Sequence, residues 1–428
     1  MAEEKKLQKA VKRLEIAKDT SSYQKAWFRS LKDRVAAGEP LGWGTASTPE
    51  EILSAMDLPF VCIQWWTAVC AAKQMSPKFY DLLGEQGYRN DICSYCSAGY
   101  ACSLDPEPEN GPWGGLPKPS FIVSYDHCPS AKKIDELAAK EWGAEIFYMP
   151  NSYNDVKVND WELSWSDWAK LTTPRRLDER TEDLHRLIQF LERTTGHELK
   201  KDRLVEALRL SNEQNMWFSR VRELIANNTP APVTVSDTIG VIMQTQWHRG
   251  TQWAADNAKK LYDEVKMLVD EHRPTVPNEK LRLMWLGRGL WYNMGFYQHF
   301  EEKYGASFVW SQYLAIGATK YIREDAEQDP IRALATRFCG GNDVAKWQMH
   351  EAETHRIDGV VYLISNANCM NNGSFSAGTI MDFEKKGIPV LVLGADPADA
   401  RTWNQDLMTA AVDEFLENRV IPSKKQRI

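Results

Sequence analysis

The sequence predicts an α/β protein with two lobes, each a mainly parallel sheet flanked by helices, joined by a helical connector. Strand-like and helix-like segments alternate at residues 121–149 and again at 359–419. A long, charged and periodic stretch at residues 178–227 separates these regions and predicts helices. Alternation of strands with helices is typical of parallel sheets.

Shifts in composition divide the 428 residues into four predicted segments. Gly38 and Pro40 end the helical pattern of the N-terminus, and Pro230 and Pro232 interrupt the connector. The predicted segments are an N-terminal helical segment at 1–40, a first α/β lobe at 41–177, a helical connector at 178–275 and a second α/β lobe at 276–428.

The elements of the first lobe follow from local patterns. Residues 1–37 predict one or two amphipathic helices. The next helix is expected to start at Thr48 as N-cap, with Pro49 in the first turn and Glu51 three residues after the cap. Residues 58–63 are apolar and predict a buried strand.

A strand–helix–strand unit follows a loop rich in proline and glycine at residues 105–118. Its strands are predicted at 121–125 and 144–149, with a helix at 130–142 between them. The remaining predicted elements are a helix at 251–271, strands at 281–286, 359–364 and 388–393, and helices at 376–386 and 398–419.

Composition excludes some functions. The net charge of −7 disfavours wrapping of nucleic acid, whose phosphates need Lys and Arg. The most apolar stretch, residues 58–72, contains Pro59 and Gln64, whereas a membrane span needs about 20 predominantly apolar residues. The charged N-terminus has no apolar core of a signal peptide, so we expect a cytoplasmic protein whose cysteines are not disulfides.

Three cysteines are the main candidates for chemistry. Cys93 follows a predicted helix, and Cys128 and Cys369 each follow a predicted strand. Ligands of open α/β sheets collect at the carboxyl ends of strands, and thiolates from separate loops can hold one iron–sulfur cluster. Cys96 and Cys102 are close enough in sequence to replace Cys93 as a ligand. Buried structural thiols are the alternative, and we expect that role for Cys62, Cys70 and Cys339.

Three motifs carry a resemblance to a known family. They are NDICSY around Cys93, FIVSYDHC ending at Cys128 and DGVVYLISNANC ending at Cys369. In this order they resemble the 2-hydroxyacyl-CoA dehydratase and benzoyl-CoA reductase family, large-subunit type. The similarity extends from about residue 48 to 403 and includes the closing stretch IPVLVLGADPADARTW.

The resemblance implies an oxygen-sensitive enzyme that uses one-electron radical chemistry on a CoA thioester. By position, Cys93, Cys128 and Cys369 would hold a 4Fe–4S cluster. A related second subunit and a separate ATP-hydrolysing activator are the implied partners. The absence of a Walker-type phosphate loop from this sequence agrees with a separate activator.

The resemblance leaves the reaction open between two branches. The motif NGSFSAG after Cys369 and the Ser-Tyr pair before Cys128 favour an ATP-dependent benzoyl-CoA (aryl-CoA) reductase subunit. The alternative is a 2-hydroxyacyl-CoA dehydratase subunit, for which Ser47 and Gln64 are the catalytic candidates. Gln64 stands where a carboxylate is expected, and an amide cannot act as acid or base. A non-catalytic electron-relay subunit, or a single subunit with a larger cluster, is the second alternative.

Two further sets are candidates for the substrate site. A dry pocket would strengthen electrostatic interactions and protect radicals, and Trp65, Trp66, Trp285 and Trp291 could line it, although core packing explains them equally well. Arg249, Arg282 and Arg288 are the candidates for contact with the phosphates of CoA.

Overall fold

The structure is a computed structural model of the chain. It describes residues 7–89, 93–126, 128–150, 159, 161, 165–319, 322–339, 344–365 and 370–427. The candidate ligand Cys369 lies outside the described residues. The described part confirms the predicted class, an α/β fold with two parallel sheets flanked by helices.

The first sheet has four parallel strands in the order β2-β1-β3-β4. Its strands are β1 Gly42–Gly44, β2 Phe60–Cys62, β3 Phe121–Tyr125 and β4 Glu145–Met149. The second sheet repeats this topology in the order β6-β5-β7-β8. Its strands are β5 Leu281–Gly287, β6 Ala306–Ser311, β7 Gly359–Ile364 and β8 Val390–Gly394.

The helices cover both sheets and form the connector. In chain order they are α1 Glu15–Ala36, α2 Glu50–Ala55, α3 Ile63–Ala72, α4 Ser76–Glu85, α5 Ser94–Ser103, α6 Pro129–Trp142, α7 Pro174–Thr195, α8 Lys201–Asn227, α9 Val235–Gln246, α10 Gln252–Asp270, α11 His299–Tyr304, α12 Gln312–Thr319, α13 Pro330–Thr336, α14 Val344–Thr354, α15 Met370–Lys385, α16 Gln405–Phe415 and α17 Ile421–Arg427.

Each sheet reverses its strand order at one place. The chain passes from β1 to β2 on one side and then places β3 on the other side of β1, and β5, β6 and β7 repeat this path. We call the crevice between the carboxyl ends of β1 and β3 the first switch point, and that between β5 and β7 the second switch point. Ligands of open α/β sheets bind at such crevices.

Glycines allow close approach of the two central strands in both sheets. A Cβ atom on Gly42 of β1 would overlap the ring of Phe121 on β3. Gly287, at the end of β5, has a φ of +88°, and a Cβ there would overlap the carbonyl oxygen of Leu363 on β7. Side chains at these two positions would therefore force the central strands apart.

The predicted strands at 121–125 and 359–364 are confirmed at both ends. Two predictions near the N-terminus are wrong. Residues 7–14 are not helical, and α1 begins at Glu15. Thr48 is not an N-cap, because its hydroxyl accepts the Thr45 backbone N–H at 3.1 Å and α2 starts only at Glu50. The predicted domain boundaries stay predictions.

Among the described residues, no helix combines the length and apolar character that a bilayer crossing requires.

Candidate functional site

Helix α5 begins between the carboxyl edges of the two sheets. Cys93 is its N-cap residue and is 8 % exposed. The Cys93 carbonyl accepts the backbone N–H groups of Cys96 and Ser97, each at 3.1 Å. This first turn brings Cys93 and Cys96 to the same end of the helix.

The thiols of Cys93, Cys96 and Cys128 lie together at this end. Cys96 is within hydrogen-bond reach of both Cys93 and Cys128, and these two contacts raise its pKa well above the usual thiol value. Cys128 directly precedes α6, and α6 packs against α5. The structure therefore brings together two predicted ligands, Cys93 and Cys128, with the spare candidate Cys96 between them.

Cys128 is the acidic member of the group. The hydrogen bond from Cys96 lowers the pKa of the Cys128 thiol to about 6, with further help from the backbone N–H groups of Ala131 and Ser130. These backbone donors belong to the first turn of α6, where unpaired N–H groups favour an anion. Cys128 is therefore disposed to be a thiolate, the form that binds metal.

Three neighbouring thiols match the chemistry of an iron–sulfur cluster, which proteins hold through cysteine thiolates. No group of three His, Cys, Asp or Glu side chains in the described part of the chain is arranged to hold a single metal ion. A cubane is larger than one ion, and the third predicted ligand, Cys369, lies outside that part. The residues present thus fit part of a cluster site.

Cys102, the other spare candidate, lies elsewhere. It is 1 % exposed, and its thiol accepts a hydrogen bond from Cys70 of α3. This bond is the main cause that lowers the pKa of Cys102, whereas burial raises the pKa of Cys70. Cys62, Cys70 and Cys339 are buried in the apolar core, where core or structural roles were expected.

The second sheet contributes polar groups to the start of α5. The guanidinium of Arg288, which follows β5, lies 5.5 Å from the ring centroid of Tyr95. The Tyr95 hydroxyl bonds to Tyr313 at the start of α12, and burial raises the pKa of Tyr95. Tyr313 in turn accepts the Gly289 backbone N–H at 3.0 Å. Loops after β5 and β6 therefore hold the residue two positions after Cys93.

A carboxylate that follows β8 also contacts the start of α5. Asp396 is 4 % exposed and accepts the hydroxyl hydrogen of Ser94, the residue after Cys93. The other oxygen of Asp396 lies 3.5 Å from the hydroxyl of Ser365, which follows β7. Burial is the main cause that raises the pKa of Asp396.

The catalytic candidates Ser47 and Gln64 lie in adjacent loops at the first sheet. Ser47 follows β1, and its N–H donates to the Thr45 hydroxyl at 3.3 Å. Gln64, in the first turn of α3, accepts the Ala46 N–H at 3.1 Å. Gln64 thus holds the loop that carries Ser47, and both side chains are half-buried.

A buried charged group lies behind these loops and was missed by the sequence analysis. Glu50 and Glu51, in the first turn of α2, face Arg249 and Arg337. All four residues are at most 4 % exposed. Among the described residues one oxygen of Glu50 has no hydrogen-bond partner, and burial raises the pKa of Glu50 to about 8.

Two of the arginines proposed to contact the phosphates of CoA are buried and hydrogen-bonded inside the protein. Arg249 donates to Ser211 at 3.2 Å and Asn215 at 3.0 Å and is 1 % exposed. Arg282 donates to three backbone carbonyls and pairs with Glu279 at 2.9 Å. The structure therefore does not favour either as a phosphate contact, whereas Arg288 is only half-buried.

The four tryptophan candidates all lie in the apolar cores. Trp66 is fully buried and stacks on Phe28 with a centroid distance of 4.8 Å. Trp285 is fully buried and donates to the Arg288 carbonyl at 2.8 Å. Trp65 and Trp291 are each 6 % exposed and belong to the apolar cores as well, and the indole N–H of Trp291 has no partner within the described residues.

Ser94, Tyr95, Asp396 and Glu50 are the site residues that sequence reasoning did not single out. Ser94 and Tyr95 stand inside the quoted NDICSY motif, and Asp396 inside the closing stretch. Position in a motif was thus the available signal for three of them. Nothing local marks Glu50, because acidic residues are common in the first turn of any helix.

The chain is similar to one known protein family and to individual members of related enzymes. The family model described as 2-hydroxyglutaryl-CoA dehydratase, D-component, matches residues 45–418. The (R)-2-hydroxyisocaproyl-CoA dehydratase alpha subunit of Clostridioides difficile is 22 % identical over 393 residues, covering 89 % of this chain and 90 % of the relative. The (R)-phenyllactyl-CoA dehydratase alpha subunit of Clostridium sporogenes is 23 % identical over 392 residues, covering 91 % of each chain.

These comparisons correct the order of the two branches. The motifs after Cys369 and before Cys128 favoured an aryl-CoA reductase subunit, but the matched family and both relatives are named as dehydratases. The alternative interpretation, a dehydratase component, therefore fits better than the reductase interpretation. The match over most of its length shows that this chain belongs to the 2-hydroxyglutaryl-CoA dehydratase, D-component, family.

Proposed function

We propose that this chain is a cluster-holding subunit of a 2-hydroxyacyl-CoA dehydratase. Both relatives carry the names of alpha subunits of such enzymes and align along about nine-tenths of their length. The observation that carries the proposal is the group of thiols, Cys93, Cys96 and Cys128, at the carboxyl edge of a parallel sheet. Family membership and soft sulfur ligands at such an edge support the same chemistry.

Cys93, Cys128 and Cys369 are the proposed ligands of a 4Fe–4S cluster, with Cys96 as the possible replacement for Cys93. When bound, the cluster would supply one-electron transfer and a Lewis-acidic iron beside the thioester. The low pKa of Cys128 supports its role, because a ligand must be deprotonated.

The substrate is proposed to enter at the first switch point. Ser47 would hydrogen-bond a polar group of the substrate, and Gln64 would fix the Ser47 loop through its contact with Ala46. Gln64 cannot exchange a proton as a carboxylate does, so it is given a positioning role. Trp65 and Trp291, which are buried in the apolar cores of the two lobes, would help to exclude water.

Contacts with the rest of the enzyme belong to the same proposal. Arg288 is the proposed contact with a CoA phosphate, because its guanidinium is not enclosed as those of Arg249 and Arg282 are. The name alpha subunit in both relatives supports a second, different subunit. A separate ATP-hydrolysing activator is proposed as the electron source, and the isolated chain is expected to hydrolyse no ATP.

Iron and acid-labile sulfide per chain, measured after strictly anaerobic purification, test the proposal. We expect about four of each and a cubane EPR signal after reduction. Cys128→Ser should lose most of the bound iron, whereas Cys70→Ser, a buried thiol away from the group, should retain it. Equal iron contents in the two variants, or no iron in the wild-type chain, would contradict the proposal.

The substrate is tested with the chain, its partner subunit and the activator together. Turnover of a 2-hydroxyacyl-CoA to the unsaturated acyl-CoA is expected, with no consumption of benzoyl-CoA. Reduction of the aromatic ring without dehydration would restore the reductase interpretation.

A further inference from the structure

Asp396 connects the second sheet to the start of α5, where Cys93 lies. It follows β8 by two residues. One carboxylate oxygen accepts the backbone N–H groups of Ala398 and Asp399, each at 2.8 Å, and also the hydroxyl of Ser94. Ser94 belongs to α5, on the other sheet's side of the site, and directly follows Cys93.

The backbone of Asp396 is fixed as firmly as its side chain. Its N–H donates to the Thr402 hydroxyl at 2.8 Å, and its carbonyl accepts the Tyr292 hydroxyl at 2.8 Å. The side chain is therefore presented to Ser94 from a rigid loop.

Ser94 is restrained on its far side as well. Its carbonyl accepts the hydroxyl of Tyr80 from α4 at 3.2 Å. The carbonyl of the next residue, Tyr95, accepts a hydrogen bond from the Thr67 hydroxyl of α3 at 3.2 Å. The start of α5 is thus held by the first sheet's helices through backbone carbonyls and by the second sheet through side chains, which include Asp396 on Ser94 and Tyr313 on Tyr95.

The second oxygen of Asp396 points toward the other predicted ligand segment. It lies 3.5 Å from the Ser365 hydroxyl, one residue after β7 and four residues before Cys369. One carboxylate therefore borders both Cys93 and the chain segment that leads to Cys369.

We infer that Asp396 is a positioning residue for the cluster, setting the start of α5, where Cys93 lies, relative to Ser365 at the end of β7. This inference rests on the proposed function. Groups that hydrogen-bond around metal ligands orient them and tune the metal, and their loss costs about 10–100-fold in metal affinity or activity. A carboxylate in this place also adds negative charge beside the cluster.

The test uses the full-length chain, purified anaerobically, as wild type, Asp396→Ala, Asp396→Asn and Asp399→Asn. Asp399 lies in the same loop but pairs with Arg401 at 2.8 Å, so Asp399→Asn is the matched control. Iron, acid-labile sulfide, the EPR spectrum and the reduction potential of the cluster are measured, with thermal unfolding as a check of folding.

Asp396→Ala is expected to weaken iron retention about 10-fold or more, with an unfolding transition still present. Asp396→Asn keeps an acceptor oxygen for Ser94, so it should retain iron but show an altered EPR spectrum and a higher reduction potential. Asp399→Asn should match the wild type. If Asp396→Ala does not fold, the Asp396→Asn spectrum and potential decide.

The inference would be overturned if Asp396→Asn matched the wild type in iron content, EPR spectrum and reduction potential while Asp396→Ala either matched the wild type or did not fold. That result would leave the proposed function standing. A wild-type chain without iron would overturn the proposed function and this inference with it. The two failures are therefore distinguished by the wild-type protein itself.

Discussion

The two sheets share one strand order but supply different chemistry at their switch points. In the first sheet, β1 and β2 have three residues each, and the segments that follow β1 and β3 carry Glu50 and Glu51, at the start of α2, and Cys128. In the second sheet, β5 has seven residues and β6 has six. Aromatic side chains pack around these strands, and the ring centroids of Trp285 and Tyr297, for example, lie 4.8 Å apart.

The difference teaches how one topology can be stabilised in two ways. The second sheet is long enough to bury its own apolar side chains, and aromatic pairs add to that burial. The first sheet is short, and a buried charged group, Glu50 and Glu51 with Arg249 and Arg337, fixes its central loop. Such groups tolerate the loss of one member poorly, because a lone buried charge is costly.

Arg337→Ala, which disrupts the buried charged group of the first sheet, should lower the free energy of unfolding most strongly. It removes the closest cation from Glu51, which is fully buried. Breaking a buried pair in this way costs about 3–5 kcal/mol in the free energy of unfolding. Arg193→Ala is the control, because Arg193 and Glu145 are 66 % and 55 % exposed, and its cost should stay below about 1 kcal/mol. Denaturant unfolding measures both, and equal losses would contradict the argument.

Gly42→Ala tests the crowding of the short central strand. The new Cβ would lie 2.5 Å from Cζ of Phe121, so β1 and β3 must separate, at a cost of about 1–3 kcal/mol. Gly378→Ala on α15 meets nothing within 4 Å and should stabilise the helix by about 0.5–1 kcal/mol. Opposite signs in thermal unfolding are expected. A neutral Gly42→Ala would show that the first sheet is loosely packed.

Glu50 should give a pH dependence of stability, not a loss of the same size at every pH. Its folded pKa of about 8 exceeds the ordinary value of 4.5, so the folded chain keeps a proton that the unfolded chain has lost. Stability from this group is full below pH 4.5 and is lost as the pH rises toward 8, by up to about 1.4 kcal/mol per pH unit.

Glu50→Gln, with the neighbouring Glu51, Arg249, Arg337 and Cys62 unchanged, should flatten that slope. Unfolding free energies measured from pH 5 to 8 supply the comparison with wild type. The same slope in both proteins would mean that Glu50 is ionised in the folded chain.

The parts of the fold that the sequence predicted are those with strong local signals. The strands Phe121–Tyr125 and Gly359–Ile364 are runs of β-branched and aromatic residues with clear boundaries. Strand β1 was not predicted, because the three residues Gly-Trp-Gly have little strand preference of their own. Pairing with β2 and β3 forms it, which is a tertiary effect.

The candidate site divides in the same way. Cys93 and Cys128 could be predicted because thiols near strand and helix ends are conspicuous. The Cys70–Cys102 pair could not, because no pattern indicates which thiols meet. The partner of Asp396 is 302 residues away in sequence, so only the assembled fold reveals the contact with Ser94.

That distance along the chain has a consequence for the order of assembly. The thiols Cys93, Cys96 and Cys128 lie in one short stretch, which leaves the ribosome well before β8 exists, since synthesis and domain folding proceed from the N-terminus. Closing the long loop to Asp396 costs little more entropy than closing a short one, about 0.6 kcal/mol per doubling of length. Contacts so far apart in sequence nevertheless form slowly. We therefore expect the thiols of the first sheet to stay exposed during synthesis until the second sheet has formed.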